Sequence, residues 1–422
     1  MQLSRPARTD PLRARIAAAA WALIAGGLPR LLHADPENPT WQFDGSGLYY
    51  SEKDRATVVE PVARITRLFS GGRQLSAGLA LDAITGASPS GALPNGETHT
   101  VTSASGTVSS SPAGEIPTSS FHDFRTALDA GYVQPIGTLF SSTTGVSFSH
   151  EKDYQSLGIS EKVSLDVLHR LATITLGGSV DDDAVFPVGG TPVGLSDGTV
   201  LLTTGHNPKH VTTLMAGISR VVTRRLLLAV TATGIRENGY LTEPYKVLSV
   251  LDPVTGVPVS QLTENRPDTR RRTALLGSGV YHLADDVIYA SYRYYWDDWG
   301  IRSHTIDLRY HLELPEHDYV VPHVRFYTQN AADFFHYALI QGDPLPLYAS
   351  SDLRVGALRT LTLGATYGFH LVDTPGDLTA RAEYLRQWGE GHPPNAIGIQ
   401  QEFDLAPGVN IVSLMVGYSV RF

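Results

Sequence analysis

The chain has 422 residues, a formal net charge of −9, an isoelectric point near 5.9, 42% hydrophobic residues, 40 glycines and no cysteine. The absence of cysteine excludes disulfides, thiolate metal sites and a lipid-carrying cysteine anchor, and the acidic balance leaves no broad basic surface for nucleic-acid phosphates. Mean hydropathy is −0.08 and no long apolar run follows the N-terminus, so helical membrane spans are excluded too.

The first expected element is a targeting segment. Arg5, Arg8, Arg13 and Arg15 precede the stretch IAAAAWALIAGGL (16–28), and Ala34 in LLHAD is a small residue suited to cleavage. This is the pattern of a Sec-type signal peptide over 1–34, with the mature chain starting near Asp35 outside the cytoplasm.

From Trp41 onward, alternating segments are broken by Gly, Pro, Asn and Asp clusters. RQLSAGLALDA sets Leu75, Ala77, Leu79 and Leu81 against Gln74, Ser76, Gly78, Ala80 and Asp82. DVIYASYRYYW sets Ile288, Ala290, Tyr292, Tyr294 and Trp296 against Val287, Tyr289, Ser291, Arg293 and Tyr295. HTIDLRYHLE sets Ile306, Leu308, Tyr310 and Leu312 against Asp307, Arg309, His311 and Glu313. A period of two with one oily face fits a soluble sandwich or a transmembrane barrel.

Connection lengths separate the two. Tight turns at SGGR (70–73), TRR (223–225), LADD (283–286) and PEH (315–317) alternate with long polar excursions near 85–120, 182–209, 237–268, 331–350 and 389–409. Short turns at one end and long loops at the other is the pattern of an outer-membrane barrel. The expected strands are 43–52, 56–69, 73–84, 121–134, 138–154, 159–169, 171–182, 210–222, 225–236, 269–283, 286–297, 302–313, 318–329, 351–370, 377–388 and 410–422. That is sixteen, an even number, as a barrel with both chain ends on the periplasmic side requires. Tyr49, Tyr50, the run YRYYWDDW from Tyr292 to Trp299, Phe326, Tyr327 and Trp388 fall near strand ends, where amphipathic rings favour a lipid interface.

Within the loops, VTSASGTVSSSPAGEIPTSS (101–120) is expected to be a mobile exterior segment. YKVLSVLDPVTGVPVSQL (245–262) reads as a hairpin above the membrane, turning at Asp252-Pro253 and Thr255-Gly256, and is the best candidate for contact with a partner or ligand. The last strand, IVSLMVGYSVRF, ends on apolar Phe422 with Tyr418 in phase. It resembles the signal read by barrel-assembly machinery, which marks Tyr418 and Phe422 as assembly residues.

Residues 49–91, YYSEKDRATVVEPVARITRLFSGGRQLSAGLALDAITGASPSG, resemble an uncharacterised bacterial family catalogued as domain of unknown function 3570. So do HEKDYQSLGIS (150–160), DDDAVFPVGGTP (181–192), NGYLTEPYKVLSV (238–250), ENRPDTRRR (264–272) and the terminal VGYSVRF. The resemblance implies an outer-membrane barrel of unassigned activity, encoded near thioredoxin-like and flavin-transferring proteins as periplasmic partners. It brings no catalytic residue. Its most specific part is DAITGASP, where Asp82 ends a strand and Thr85-Gly86 with Ser88-Pro89 is turn chemistry. The alternative is a loop folded back to narrow the pore.

Arg293, Asp307, Arg309, His311, Glu313, His323 and Arg325 share the polar faces of three successive strands, so in a barrel they form a charged wall inside the lumen. Such a wall either ties strands together or selects solutes. His206 and His210 have i, i+4 spacing, but the intervening Pro-Lys marks a loop entering a strand. Asp181-Asp182-Asp183 and Asp297-Asp298 lack the spacing of a calcium loop and read as exposed aspartates. Neither a metal nor a cofactor is expected, and no G-x-S-x-G or HExxH occurs.

The reading is an all-β, sixteen-stranded transmembrane barrel over 35–422, a monomer in the outer membrane of a Gram-negative bacterium. It would contact outer-membrane lipid and lipopolysaccharide and serve as a channel or export conduit for a small polar solute. A non-transporting scaffold or anchor for a partner protein is the first alternative, and an outer-membrane enzyme the second.

Overall fold

A computed structural model describes residues 40–53, 55–94, 99–102, 108–111, 115–315, 318–370 and 376–422. The expected signal segment 1–34, most of the PEH turn and parts of the 101–120 stretch lie outside the described residues.

Sixteen antiparallel strands close into one barrel. They are β1 (Thr40–Glu52), β2 (Ala56–Leu68), β3 (Gln74–Pro89), β4 (Thr118–Ile136), β5 (Phe140–Glu151), β6 (Tyr154–Val167), β7 (Ala172–Val185) and β8 (Asn207–Thr223). The circuit continues through β9 (Leu226–Gly239), β10 (Thr269–His282), β11 (Val287–Asp297), β12 (Arg302–Glu313), β13 (Tyr319–Gln329), β14 (Leu358–His370), β15 (Asp377–Gly389) and β16 (Val409–Arg421). Each pairs with its sequence neighbours, and β1 closes on β16 with Gln42 opposite Arg421 and Glu52 opposite Ile411. Closure leaves no strand edge unpaired, which hydrocarbon demands. Among the described residues no helix is long and apolar enough to cross a membrane.

The wall follows the period-two pattern. Leu75, Leu79, Leu128, Val146, Leu157, Ile159, Leu176, Leu214, Ile306, Leu308, Leu363 and Val416 are exposed on the outer surface, whereas the intervening side chains point into the lumen. An apolar exterior around a polar interior is a transmembrane barrel, with lipid in place of a packed core. Gly78 shows how tightly the lumen is filled: a Cβ there would lie 2.3 Å from the Asp129 carboxylate. That carboxylate bridges to Arg64 at 2.7 Å.

All sixteen expected strands are present, but several ends differ. β3 runs on to Pro89, so Thr85, Gly86, Ser88 and Pro89 are not a turn after a strand that ends near Asp82; they extend it in register with β4. Gly86 permits this, because its φ is 152° and a Cβ would collide with the Arg55 carbonyl. In the other direction, β14 starts at Leu358 rather than at 351. Asp352 accepts the Arg354 amide at 3.0 Å and turns the chain before the strand begins.

Alternation also divides the aromatic residues. Tyr49, Tyr292, Trp296 and Phe326 face outward and are exposed. Their partners in phase opposition do not serve a lipid girdle. Tyr295 bonds Asp297 at 2.6 Å, Tyr50 bonds Glu52 at 2.6 Å, and Trp299 is 4% exposed within an apolar cluster beyond the strand ends.

Candidate functional site

The expected charged wall is a single inward surface. Arg293, Asp307, Arg309, His311, Glu313, His323 and Arg325 alternate with the exposed Tyr292, Ile306, Leu308, Leu312, Val324 and Phe326. Register sets Asp307 opposite Arg325 and Arg309 opposite His323. His323 bridges two carboxylates, with Nε2 2.9 Å from Asp307 and Nδ1 2.9 Å from Glu383. Arg309 lies 3.3 Å from Asp307, while His311 lies 3.1 Å from Glu313 and stacks on Tyr319 at 4.6 Å. Arg293 sits over the Tyr295 ring at 5.6 Å.

This wall borders a lumen cavity of about 280 Å³ lined by Arg309, His311, Tyr319, His323, Arg381 and Glu383. Arg381 and Glu383 come from β15, two strands beyond the expected wall. Their own alternation, RAEYL, carries the signal that places them inside. The cavity therefore offers two guanidiniums, a histidine held between carboxylates and an aromatic face. These groups can hold a small polar solute by hydrogen bonds but present no aligned nucleophile and base.

The long-loop end carries a second structure that the sequence shows only in part. The expected hairpin is formed, with arms Val247–Leu251 and Pro258–Thr263. Asp252 accepts the amides of Val254 and Thr255 to make its turn. It does not stand free above the membrane. Val247 to Leu251 are mostly buried, pair in parallel with Leu339–Ile340, and bond Ser90 through the Val247 amide at 3.0 Å. Nearby, Tyr245 donates to Asp153 between β5 and β6, Leu195 pairs with Thr263, and Gln400 donates to Pro94 and Gly256. A segment leaving the barrel between β9 and β10 that touches connections on all sides must lie across the mouth. It is a cap.

Apolar contacts hold the cap in three small clusters, centred on Leu248, on Trp299 with Phe334, and on Leu93 with Leu251 and Leu405. A largely buried ionic network adds to them. Arg266 reaches Glu264 at 2.6 Å and Asp352 at 2.8 Å, and Arg354 reaches Glu243 at 3.1 Å and bonds Asp352 through Nε at 2.8 Å. Lys246 donates to the Pro89 carbonyl. Burial raises the Glu264 carboxyl above its ordinary range, and it likewise lowers the Lys246 ammonium. Burial also opposes charge on Asp352, but Arg354, Arg266 and Lys246 outweigh it and hold that carboxyl well below the usual range. Beneath the cap lies a cavity of about 160 Å³ bordered by Arg55, Lys246, Asp352 and Arg354.

Sequence reasoning missed this network. Its only signal was the density of charge in NGYLTEPYKVLSV and ENRPDTRRR, unusual for solvated loops. The aspartates expected to be exposed divide: Asp182 and Asp298 are exposed, but their neighbours Asp183 and Asp297 are not. Asp181, Asp182 and Asp183 lie on β7, and Asp183 is 2% exposed. Asp297 is fully buried against Arg270, whose Nε lies 2.9 Å away. For Asp297, the arginine within reach accounts for a buried charge. His210 pairs with Asp182 at 2.9 Å, while the His206 ring lies tilted against Phe186 with centroids 5.7 Å apart.

Among the described residues, the buried carboxylates Asp123, Glu151 and Asp153 have oxygens within 4.8 Å of one another. These are hard ligands of the kind calcium takes, but an acidic group alone assigns no metal, and Asp153 already accepts the Tyr245 hydroxyl at 2.7 Å. At the barrel seam, Phe422 and Trp41 exchange backbone hydrogen bonds of 2.7 and 2.8 Å, and Tyr418 lies on β16 opposite Gly45.

A family described as "Protein of unknown function (DUF3570)" matches residues 13–420. No curated protein matches. Among solved structures, the chain is similar to a bacterial polysaccharide outer membrane secretin, with 9% identity over 91% of this chain and 98% of that one and a TM-score of 0.45. It is also similar to the siderophore receptor PirA from Pseudomonas aeruginosa (8% identity, 91% of this chain, 62% of that chain, TM-score 0.43). A third is OccK2 (OpdF) from Pseudomonas aeruginosa in complex with glucuronate (9% identity, 92% and 100%, TM-score 0.41). Likeness at this level bears on no activity.

Proposed function

The chain belongs to the DUF3570 family, whose description assigns no activity, and we propose that it is an outer-membrane channel or export conduit for a small polar solute, gated by the cap. Its short turns face the periplasm and its long loops the exterior. The lumen cavity carries the reading: a polar space of about 280 Å³, framed by Arg309, Arg381, His323 and Glu383, lies inside a wall that needs no such room if its charges only tie strands together.

The charge across the lumen supports the same reading. Inward positions on β3 to β7 carry Asp82, Asp123, Asp129, Glu151, Asp166, Asp181 and Asp183 against Arg125 and Lys162, a clear acidic excess, while those on β10 to β15 carry Arg270, Arg272, Arg293, Arg309, Arg325 and Arg381 against Asp297, Asp307, Glu313, Asp377 and Glu383, a slight basic excess. In a ring of sixteen strands these arcs face each other. A solute between them meets a transverse field, and the arginine arc favours an anionic group on it.

The test is conductance in planar bilayers, measured on the whole protein and on a variant whose residues 241–267 are replaced by a short Gly-Ser turn. Removing the cap segment should raise conductance, and Arg309→Ser with Arg381→Ser should shift ion preference toward cations. Silence from both proteins would instead support a scaffold or anchor. Turnover of lipid, ester or peptide substrates, lost on changing one polar cluster, would identify an enzyme.

A further inference from the structure

Five arginines stand on the outer surface of the barrel at the long-loop rim. Arg236 on β9, Arg271 on β10, Arg302 on β12, Arg359 on β14 and Arg386 on β15 are exposed, and each lies within three residues of its strand's end. They keep phase with the outward Val230, Leu275, Ile306, Leu361 and Tyr384. The strands of the other half, β1 to β8, present no outward arginine at that rim; its exposed cations there are Lys53 and Lys152, singly placed in the turns just past β1 and β5. The cluster is therefore not a general feature of the rim.

Register brings these arginines together. Arg236 and Arg271 are direct cross-strand partners on one face, and like charges so placed repel. Arg359 is opposite Trp388, which puts Arg386 diagonally beside it, and Arg302 is opposite Trp296. Among the described residues none of the five is ion-paired. Arg236 donates to the Asn238 side chain at 3.3 Å, and Asp298 takes the backbone amide of Arg271 at 2.8 Å. Unpaired guanidiniums held side by side match the oxygens of a phosphate, which each can bind through two parallel N–H groups. Their height is decisive. Tryptophans mark the level of lipid headgroups, and below the arginines the surface is apolar, suited to acyl chains.

We propose that this half of the rim binds the phosphate groups of a lipid in the surrounding leaflet, with Arg236 and Arg271 as one clamp and Arg359 and Arg386 as another. The proposal needs only the transmembrane barrel and is independent of whether the lumen conducts.

The experiment titrates the detergent-solubilised full chain with bis-phosphorylated lipid A and with its dephosphorylated counterpart. The wild type should bind the phosphorylated lipid roughly tenfold or more tightly, and Arg236→Gln/Arg271→Gln or Arg359→Gln/Arg386→Gln should each remove about that factor. Arg67→Gln/Arg220→Gln, outward positions at the opposite rim, should change nothing. Equal binding of both lipids by the wild type would overturn the proposal, as would unchanged binding after all four rim arginines are replaced. Competition by inorganic phosphate at lipid-like concentrations would overturn the lipid assignment in favour of a free anion. Should a variant fail to fold, the wild-type comparison of the two lipids decides alone.

Discussion

On β12, Leu308 is 47% exposed on the outer surface while Arg309, the next residue, faces the lumen. In the cap, Asp352 has no such neighbour rule: it is 4% exposed and surrounded by Arg266, Arg354 and Lys246 from two separate loops. The wall is ordered by alternation and ladder hydrogen bonds, and each side chain's environment follows from its parity. The cap is ordered by charges and small apolar clusters that no local pattern foretells. If the difference is real, damage to one region should leave the other standing.

The largest effect is expected from Arg266→Ala. It strands Glu264, almost wholly buried, without its cation and takes one of two arginines from Asp352, which keeps Arg354. Breaking a buried pair in this way costs about 3–5 kcal/mol. Amide exchange at Val247 to Leu251 should rise sharply, while the folded barrel keeps its heat-modifiable mobility on gels. Loss of that mobility together with cap protection would show that the two regions fold as one unit.

Leu308→Arg attacks the wall instead. A charge near the middle of the lipid-facing surface should cost about 2–4 kcal/mol in reversible unfolding from vesicles. Arg309→Ser, one residue on, removes a half-exposed lumen charge and should alter stability by less than about 0.5 kcal/mol. Similar losses at both positions would remove the parity on which the lumen assignment rests.

That contrast also explains what could be read from the sequence. All sixteen barrel strands are legible because the signal repeats within each segment: Leu75, Ala77, Leu79 and Leu81 need no knowledge of their partners to be grouped. The seven expected lumen residues follow from the same rule. Cap contacts join distant residues, such as Gln400 with Pro94 and Gly256, and nothing in the neighbourhood of Gln400 announces either. The cap hairpin was visible because its turn is local, fixed by Asp252 and Gly256, but its burial was not. Strand ends failed where the cap reaches the rim. Ser88 and Pro89 have turn chemistry, yet the carbonyl of Pro89 accepts from Lys246 and the strand is carried upward.

Gly86 lies where the two regions meet, and Gly86→Ala should have an intermediate effect. With φ at 152° and the Arg55 carbonyl in the way of a Cβ, alanine must displace the β1–β2 turn at a cost of about 1–3 kcal/mol. The Arg55 side chain bonds the Pro407 carbonyl at 3.2 Å, so the strain should reach the 390–408 loop of the cap. Raised exchange in that loop, with β3 itself protected, is the expected result. Raised exchange confined to β3 would place Gly86 in the wall alone.

The smallest effect is expected from acidification, because two carboxylates of the cap oppose one another. Asp352 has its folded pKa depressed below 3.8, so its stabilisation is complete above the unfolded value and is lost as pH falls through the folded one. Glu264 has its folded pKa raised above 4.5, so its contribution has the opposite sign: it is present in acid and is lost as pH rises through the folded value. As pH falls toward 4.5, protonation of Glu264 should therefore hold cap protection level or raise it slightly, and below about 3.8 the loss of Asp352 should lower it. Exchange at Leu248, corrected for the intrinsic rate, should show this shallow maximum. A monotonic loss starting well above pH 5 would mean that other groups control the cap and that the network around Arg266 does not.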